Sequence, residues 1–177
     1  MSAIESISRV LESIAAPYAL IGGRAVGLRG HPRMTLDYDF LTTDPRVLQP
    51  GIWASLARRD ATIEPRKGDA DDPLAGVVRI IFHDGVEADV ILAKWKWQQG
   101  VIDRAEPLDV GGVTIPVPRT SDLILLKLTA GGYVDLQDVH VLLQVGDRHQ
   151  LVREVEKYVG DLSPDGREAW KNILASP

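Results

Sequence analysis

The spacing of apolar residues divides the chain into helical and extended stretches. Near the start, Ile4, Ile7, Leu11 and Ile14 fall on one helical face, Ser2 and Glu5 form a capping box, and Pro17 closes the segment. Tyr18 to Ile21 reads as a short apolar strand, Gly22-Gly23 as a turn, and Arg24 to Leu28 as one or two helical turns ahead of Gly30 and Pro32. From Thr35 to Thr42 the period changes to two. Leu36, Tyr38 and Phe40 share one face of that strand, and Asp37 and Asp39 share the other. After Asp44-Pro45, Ile52 to Arg59 suits a helix, Thr62 to Glu64 a brief strand, and Arg66 to Pro73 a solvated loop. Val77 to Phe82 and Val86 to Leu92, joined by His83-Asp84-Gly85, predict a hairpin whose second strand carries one interior acid, Asp89.

Further along, Trp95 to Arg104 reads as helical and Pro107 to Val117 as a second hairpin turning at Gly111-Gly112. Thr120 or Ser121 caps an apolar helix through Lys127, and helices follow over Asp135 to Val145, His149 to Tyr158 and Pro164 to Leu174. Strands therefore stop before residue 118. The pattern predicts an α/β core over 1–118 and a helical segment over 119–177, packed together as a single compact domain.

Length and composition agree with one core, since 177 residues that are 45% apolar are too few for two comfortable domains. No stretch approaches the roughly 18 apolar residues of a membrane span, and no basic segment precedes an apolar one near residue 1, so a cytoplasmic protein with no membrane association is expected. The absence of cysteine excludes disulfides and thiolate metal sites, and His31, His83, His140 and His149 lack the spacing of zinc ligands. A formal net charge of −5 argues against a broad footprint for duplex nucleic acid, while leaving room for a local phosphate site.

Asp37 and Asp39 change the picture because two like charges on one strand face repel and need compensation. A divalent cation provides it: Mg²⁺ accepts one or two protein carboxylates, several waters and substrate phosphates. Asp89, set among Ala88, Val90, Ile91 and Leu92, is the best third ligand, and three acids would let two metals act together on a phosphoryl transfer. The blander account is an edge strand showing two acids to water. Backbone N–H groups at Gly22-Gly23 suit phosphate oxygens, and Arg24, Arg29, His31 and Arg33 lie between these glycines and Asp37 with no acid among them. A solvated basic loop is the alternative for that cluster. Trp53, Trp95, Trp97 and Trp170 read as core or partner-facing aromatics rather than base-stacking platforms.

Ile21-Gly22-Gly23, thirteen residues, then Asp37-Tyr38-Asp39-Phe40, followed by Ala88-Asp89-Val90, resembles the ordered signature of the DNA polymerase β-like nucleotidyltransferases. Gly22 through Val26 and Pro32 through Asp37 resemble small stand-alone bacterial members, including the nucleotidyltransferase toxins (AbiEii-like) of abortive-infection toxin-antitoxin pairs. Asp122-Leu123-Ile124, Lys127, Ala130-Gly131, Asp135 and Asp138 are similar to their downstream Lys and Asp-x-x-Asp motif. The resemblance spans about residues 18–143. It implies a minimal nucleotidyltransferase fold: a mixed central sheet flanked by helices, with a helical C-terminal part.

It further implies Asp37, Asp39 and Asp89 as catalytic metal ligands for Mg²⁺ or Mn²⁺, and Gly22, Gly23, Arg33 and Lys127 as nucleotide contacts. The expected reaction moves an NMP from an NTP to a hydroxyl of a tRNA, a protein or a small molecule, with a cognate antitoxin as a further partner. Gly132, Val134 and Arg24 depart from the pattern, standing where arginine, lysine and an apolar residue are commoner. Asp135 and Asp138 have a plain alternative as an N-cap and a first-turn acid, and Lys127 as a helix-surface cation. The rival to an enzyme is a non-catalytic binding or antitoxin module on the same fold. Retention of all three repelling acids counts against it.

Overall fold

A computed structural model describes residues 2–32, 35, 37–70 and 72–175. Two units emerge, Met1–Arg24 with Met34–Pro118, and Ala25–Arg33 with Arg119–Pro177. The first holds helix α1 (Ala3–Ser13), strands β1 (Tyr18–Ile21) and β2 (Tyr38–Thr42), the short helix α3 (Ala54–Ala57), strands β3 (Thr62–Lys67), β4 (Gly76–Ile81) and β5 (Glu87–Leu92), helix α4 (Trp97–Asp103), and strands β6 (Glu106–Asp109) and β7 (Thr114–Val117). Helix α2 (Gly22–Leu28) begins in this unit and continues into the second, which also holds α5 (Thr120–Ala130), α6 (Tyr133–Val145), α7 (Arg148–Glu156) and α8 (Pro164–Ala175).

Helix α1 starts where the capping box places it, the Ser2 hydroxyl accepting from the Glu5 N–H at 3.3 Å, and its Ile4, Ile7, Val10 and Leu11 are buried. It stops at Ser13, ahead of Pro17, because Ala15 turns to φ +52°. Five strands form a mixed sheet in the order β1-β2-β5-β4-β3. The pair β2–β5 is parallel and the remaining neighbours are antiparallel. Strands β6 and β7 form a separate two-stranded ribbon.

Several boundaries differ from the sequence expectation. Strand β2 begins at Tyr38, which leaves Thr35 and Asp37 outside it, and Leu36 lies outside the described residues. The predicted helix over Ile52 to Arg59 is two 3₁₀ turns, Pro45–Leu48 and Pro50–Trp53, leading into α3. Strand β3 runs on through Pro65 to Lys67, which an edge strand tolerates because one row of its backbone groups faces no neighbour. Helix α5 is preceded by Arg119 rather than by a capping Thr120 or Ser121.

The exit of β2 is tied down by polar groups. Thr42 Oγ1 donates to the Pro17 carbonyl at 2.7 Å and accepts from the Asp44 N–H at 3.2 Å. Asp44 caps the first 3₁₀ turn by accepting from the Arg46 N–H at 2.9 Å and pairs with the Arg46 guanidinium, which also reaches the Ile14 carbonyl at 2.7 Å. The Arg46 side chain, bonded to this buried carboxylate, holds it below the usual aspartate range. That contribution to stability is complete above about pH 4, the unfolded-state value, and is lost as the pH falls through the lower folded value. Asp44→Ala is expected to cost about 1 kcal/mol at pH 7. Thermal melts between pH 7 and pH 2 should show the gap to wild type closing at the acid end.

Candidate metal and nucleotide site

The central feature is a register. In the parallel pair β2–β5, Asp39 lies directly beside Asp89, so the two carboxylates leave the same face of the sheet from neighbouring strands, about 4.8 Å apart at the backbone. The same row continues to Ile21 on β1 and to Arg79 and Glu64 on β4 and β3. The opposite face carries Phe40, Ala88, Val90, Val78 and Ile80, all buried. Alternation along each strand therefore sends apolar groups into the core and sets the acids on the more open face.

Gly22 explains why a glycine follows β1. Its φ is +69°, and a Cβ built there would stand 1.9 Å from Asp39 Oδ2. The Asp39 carboxylate thus lies against the Gly22 backbone, in space that any side chain would fill. The two glycines open helix α2 instead of forming a separate turn, and Gly23 is buried. Gly22→Ala is expected to destabilise the protein by about 1–3 kcal/mol through the left-handed backbone alone. It should also displace Asp39 and weaken Mn²⁺ binding. Calorimetric titration of Mn²⁺ alongside thermal melts checks both, and unchanged affinity would show that Asp39 has no part in holding metal.

Asp37 is exposed and precedes the first residue of β2. Its carbonyl accepts from Arg24 Nε at 3.1 Å, and the Arg24 guanidinium lies 3.9 Å from the centroid of the Tyr38 ring. Arg24, the departure from the usual apolar residue, thereby links the start of α2 to the segment entering β2. Among the described residues no group of three or more His, Asp or Glu side chains gathers closely enough to hold a metal ion. The structure brings Asp39 and Asp89 together and leaves Asp37 on the adjoining segment. Arg33 lies outside the described residues.

Asp89, with 27% of its side chain exposed, is engaged by Arg79. Nε donates to Oδ1 at 3.1 Å and Nη2 to Oδ2 at 3.2 Å, a two-pronged contact across the β4–β5 ladder. Arg79 Nη1 also stands 4.0 Å from Glu87 Oε2. In the sequence Arg79 signals itself only as the single cation in the apolar run from Val77 to Phe82, and its partner is invisible there.

The remaining predicted contact, Lys127, belongs to the second unit. Gly131, at φ +67°, ends α5 in a left-handed cap. Asp135 and Asp138, three residues apart on one side of α6, meet Lys127 Nζ at 2.7 and 2.9 Å. The Lys127 side chain is 10% exposed and that of Asp138 only 2%. Asp135 sits inside the first turn of α6, whose N-cap is Gly132. These three charges form one cluster in which Lys127 and Asp138 are buried and Asp135 is partly exposed, so Lys127 is not a surface cation and Asp135 is not the N-cap.

Comparison with solved structures places this arrangement in context. ANT(2″)-Ia in complex with adenylyl-2″-tobramycin superposes with a TM-score of 0.59 at 14% identity, covering 88% of this chain and 94% of that one. The solution structure of the antibiotic-resistance factor ANT(2″)-Ia gives 0.58 at 15%, covering 98% and 91%. The fold is that of the nucleotidyltransferases. The lincomycin-bound lincosamide antibiotic adenylyltransferase LnuA matches this nucleotidyltransferase fold with a TM-score of 0.53 at 16% identity, over 81% of this chain and 96% of that one. No family model matches the sequence, and no curated protein matches it. No helix among the described residues is long and apolar enough to cross a membrane.

Proposed function

We propose that this chain is a divalent-metal-dependent nucleotidyltransferase that moves an NMP from an NTP to a hydroxyl acceptor. The observation that carries the reading is the side-by-side placement of Asp39 and Asp89 on one open sheet face, against a glycine that leaves room for nothing but the Asp39 carboxylate. The donor set suits Mg²⁺ or Mn²⁺, which bind hard oxygens, are satisfied by one or two carboxylates, and complete their shell with water and phosphate. Asp39 and Asp89 would hold the metal, with Asp37 as the further ligand from the adjoining segment. When bound, such an ion lowers the pKa of an attacking hydroxyl and offsets charge on the departing pyrophosphate. The chain's own part is to fix the carboxylates in register and to present the Gly22-Gly23 backbone to the nucleotide. Among tRNA, protein and small-molecule acceptors, a small hydroxylated molecule suits the net charge of −5 best, because a nucleic acid is repelled by it. The likeness in fold to adenylyltransferases seen with antibiotics supports the same choice.

A second reading draws on the Arg79 contact. An acid paired with arginine has a structural partner and so fits a non-catalytic module of the same fold. Calorimetry with ATP, GTP, CTP and UTP separates the two. The enzyme reading expects NTP binding in Mg²⁺ or Mn²⁺ and little in chelator, because a triphosphate approaching the acids is repelled until cations intervene. Equal affinity in both conditions, together with no transfer of labelled NMP to an aminoglycoside panel, would favour the module.

A further inference from the structure

Arg79 is placed where a cation bound to Asp89 would compete with it, and this inference rests on the proposed metal site. Asp89 offers two carboxylate oxygens, and both are engaged by the Arg79 fork at 3.1 and 3.2 Å. Each oxygen keeps a second lone pair, but a divalent ion taking either one brings its charge against a guanidinium held at hydrogen-bonding distance on the same carboxylate, and that repulsion works against the fork. Arg79 has somewhere to go. Glu87, two residues before Asp89 on the same strand and face, has an oxygen 4.0 Å from Nη1. Glu64 faces Arg79 in register from the edge strand β3 and is itself within 3.5 Å of Arg66. The guanidinium thus stands among three carboxylates on an open face, with its own side chain 48% exposed. Two arrangements of the same side chain are therefore available, one on Asp89 and one on the glutamates beside it.

We propose that Arg79 is an exchangeable counter-cation, which neutralises Asp89 while no metal is bound and moves toward Glu87 and Glu64 when a divalent ion takes that carboxylate. The arrangement stabilises the acidic face before substrate arrives, since it offsets the charge that Asp89 sets beside Asp39. It also sets the metal affinity, because an incoming divalent charge is opposed by the guanidinium held on the same carboxylate. Arg79 acts through Asp89 and is a positioning residue.

Mn²⁺ titration by calorimetry, without nucleotide, tests this on wild type, Arg79→Gln, Arg79→Lys and Asp39→Asn. Arg79→Gln removes the competitor, and Mn²⁺ should bind about tenfold more tightly, equivalent to about 1.4 kcal/mol. Arg79→Lys keeps the charge but cannot make the two-pronged contact, so its affinity should lie between those of wild type and Arg79→Gln. If Arg79→Lys matches wild type, the effect is long-range charge and the exchange proposal is wrong. If Arg79→Gln binds no more tightly than wild type while Asp39→Asn loses binding, the metal site stands and the proposal falls. If Asp39→Asn binds Mn²⁺ as wild type does, the metal site itself is misplaced. Melting curves accompany each titration: Mn²⁺ should raise the midpoint of Arg79→Gln more than that of wild type, and an equal rise in both would overturn the exchange.

Discussion

Asp39→Asn should lower NMP transfer by about three orders of magnitude or more while leaving the metal-free protein as stable as wild type, or slightly more so. The asparagine has nearly the same shape, so it can occupy the space that Gly22 leaves open against the end of β1. What it removes is the charge. A metal that contributes several kcal/mol to a transition state loses most of that contribution when a ligand becomes neutral, and each 1.36 kcal/mol is tenfold in rate. Stability moves the other way for an electrostatic reason. Asp39 and Asp89 are register partners on one face, and neutralising one removes the like-charge repulsion between them. The check combines a melt in chelator with a transfer assay using labelled NTP and a panel of hydroxylated small molecules. A marked fall in melting temperature with transfer intact would make Asp39 a structural acid and end the enzyme reading.

The largest effect on stability is expected at the other unit. Lys127→Met should destabilise the protein by about 3–5 kcal/mol, because it removes the ammonium from Asp138, which is almost wholly buried. For a chain of this size the midpoint should drop by roughly 10 °C, at about 2–4 °C per kcal/mol. The double variant Lys127→Met with Asp138→Asn should recover a large part of the loss, since it removes the buried negative charge as well. Asp135, which is more exposed, should matter less: Asp135→Asn leaves Lys127 with Asp138 and should cost about 1 kcal/mol. This experiment also weighs Lys127 as a nucleotide contact. A variant that melts like wild type but loses NTP affinity would place the ammonium on the nucleotide and make the cluster incidental.

Local pattern was enough for many of the elements. The four apolar positions from Ile4 to Ile14 and the Ser2–Glu5 box define α1, the Gly85 turn defines the β4–β5 hairpin, and Gly111-Gly112 defines the β6–β7 ribbon. Period-two alternation also shows from the sequence that Asp39 points away from the core, because the side-chain period of a strand is a property of the backbone alone. The order of the Gly-Gly, Asp-x-Asp and single-Asp motifs resembles that of the nucleotidyltransferases, and the fold agrees with that resemblance.

Four features could come only from the tertiary structure. The parallel pairing of β2 with β5, which sets Asp39 beside Asp89 and not one residue off, joins segments some fifty residues apart, and a slip of one position would send one acid into the core. The start of β2 at Tyr38, leaving Asp37 outside the ladder, depends on where the partner strands supply hydrogen bonds, which alternation cannot report. The reason for Gly22 is the Asp39 carboxylate on another strand, whereas in the sequence a glycine pair signals only a turn or a phosphate loop. The fates of Arg79 and Lys127 are decided by which carboxylates the fold brings within 4 Å of each cation. Periodicity tells a residue which face it occupies. Only the register between distant segments tells it whom it meets there, and charge interactions depend on that distance.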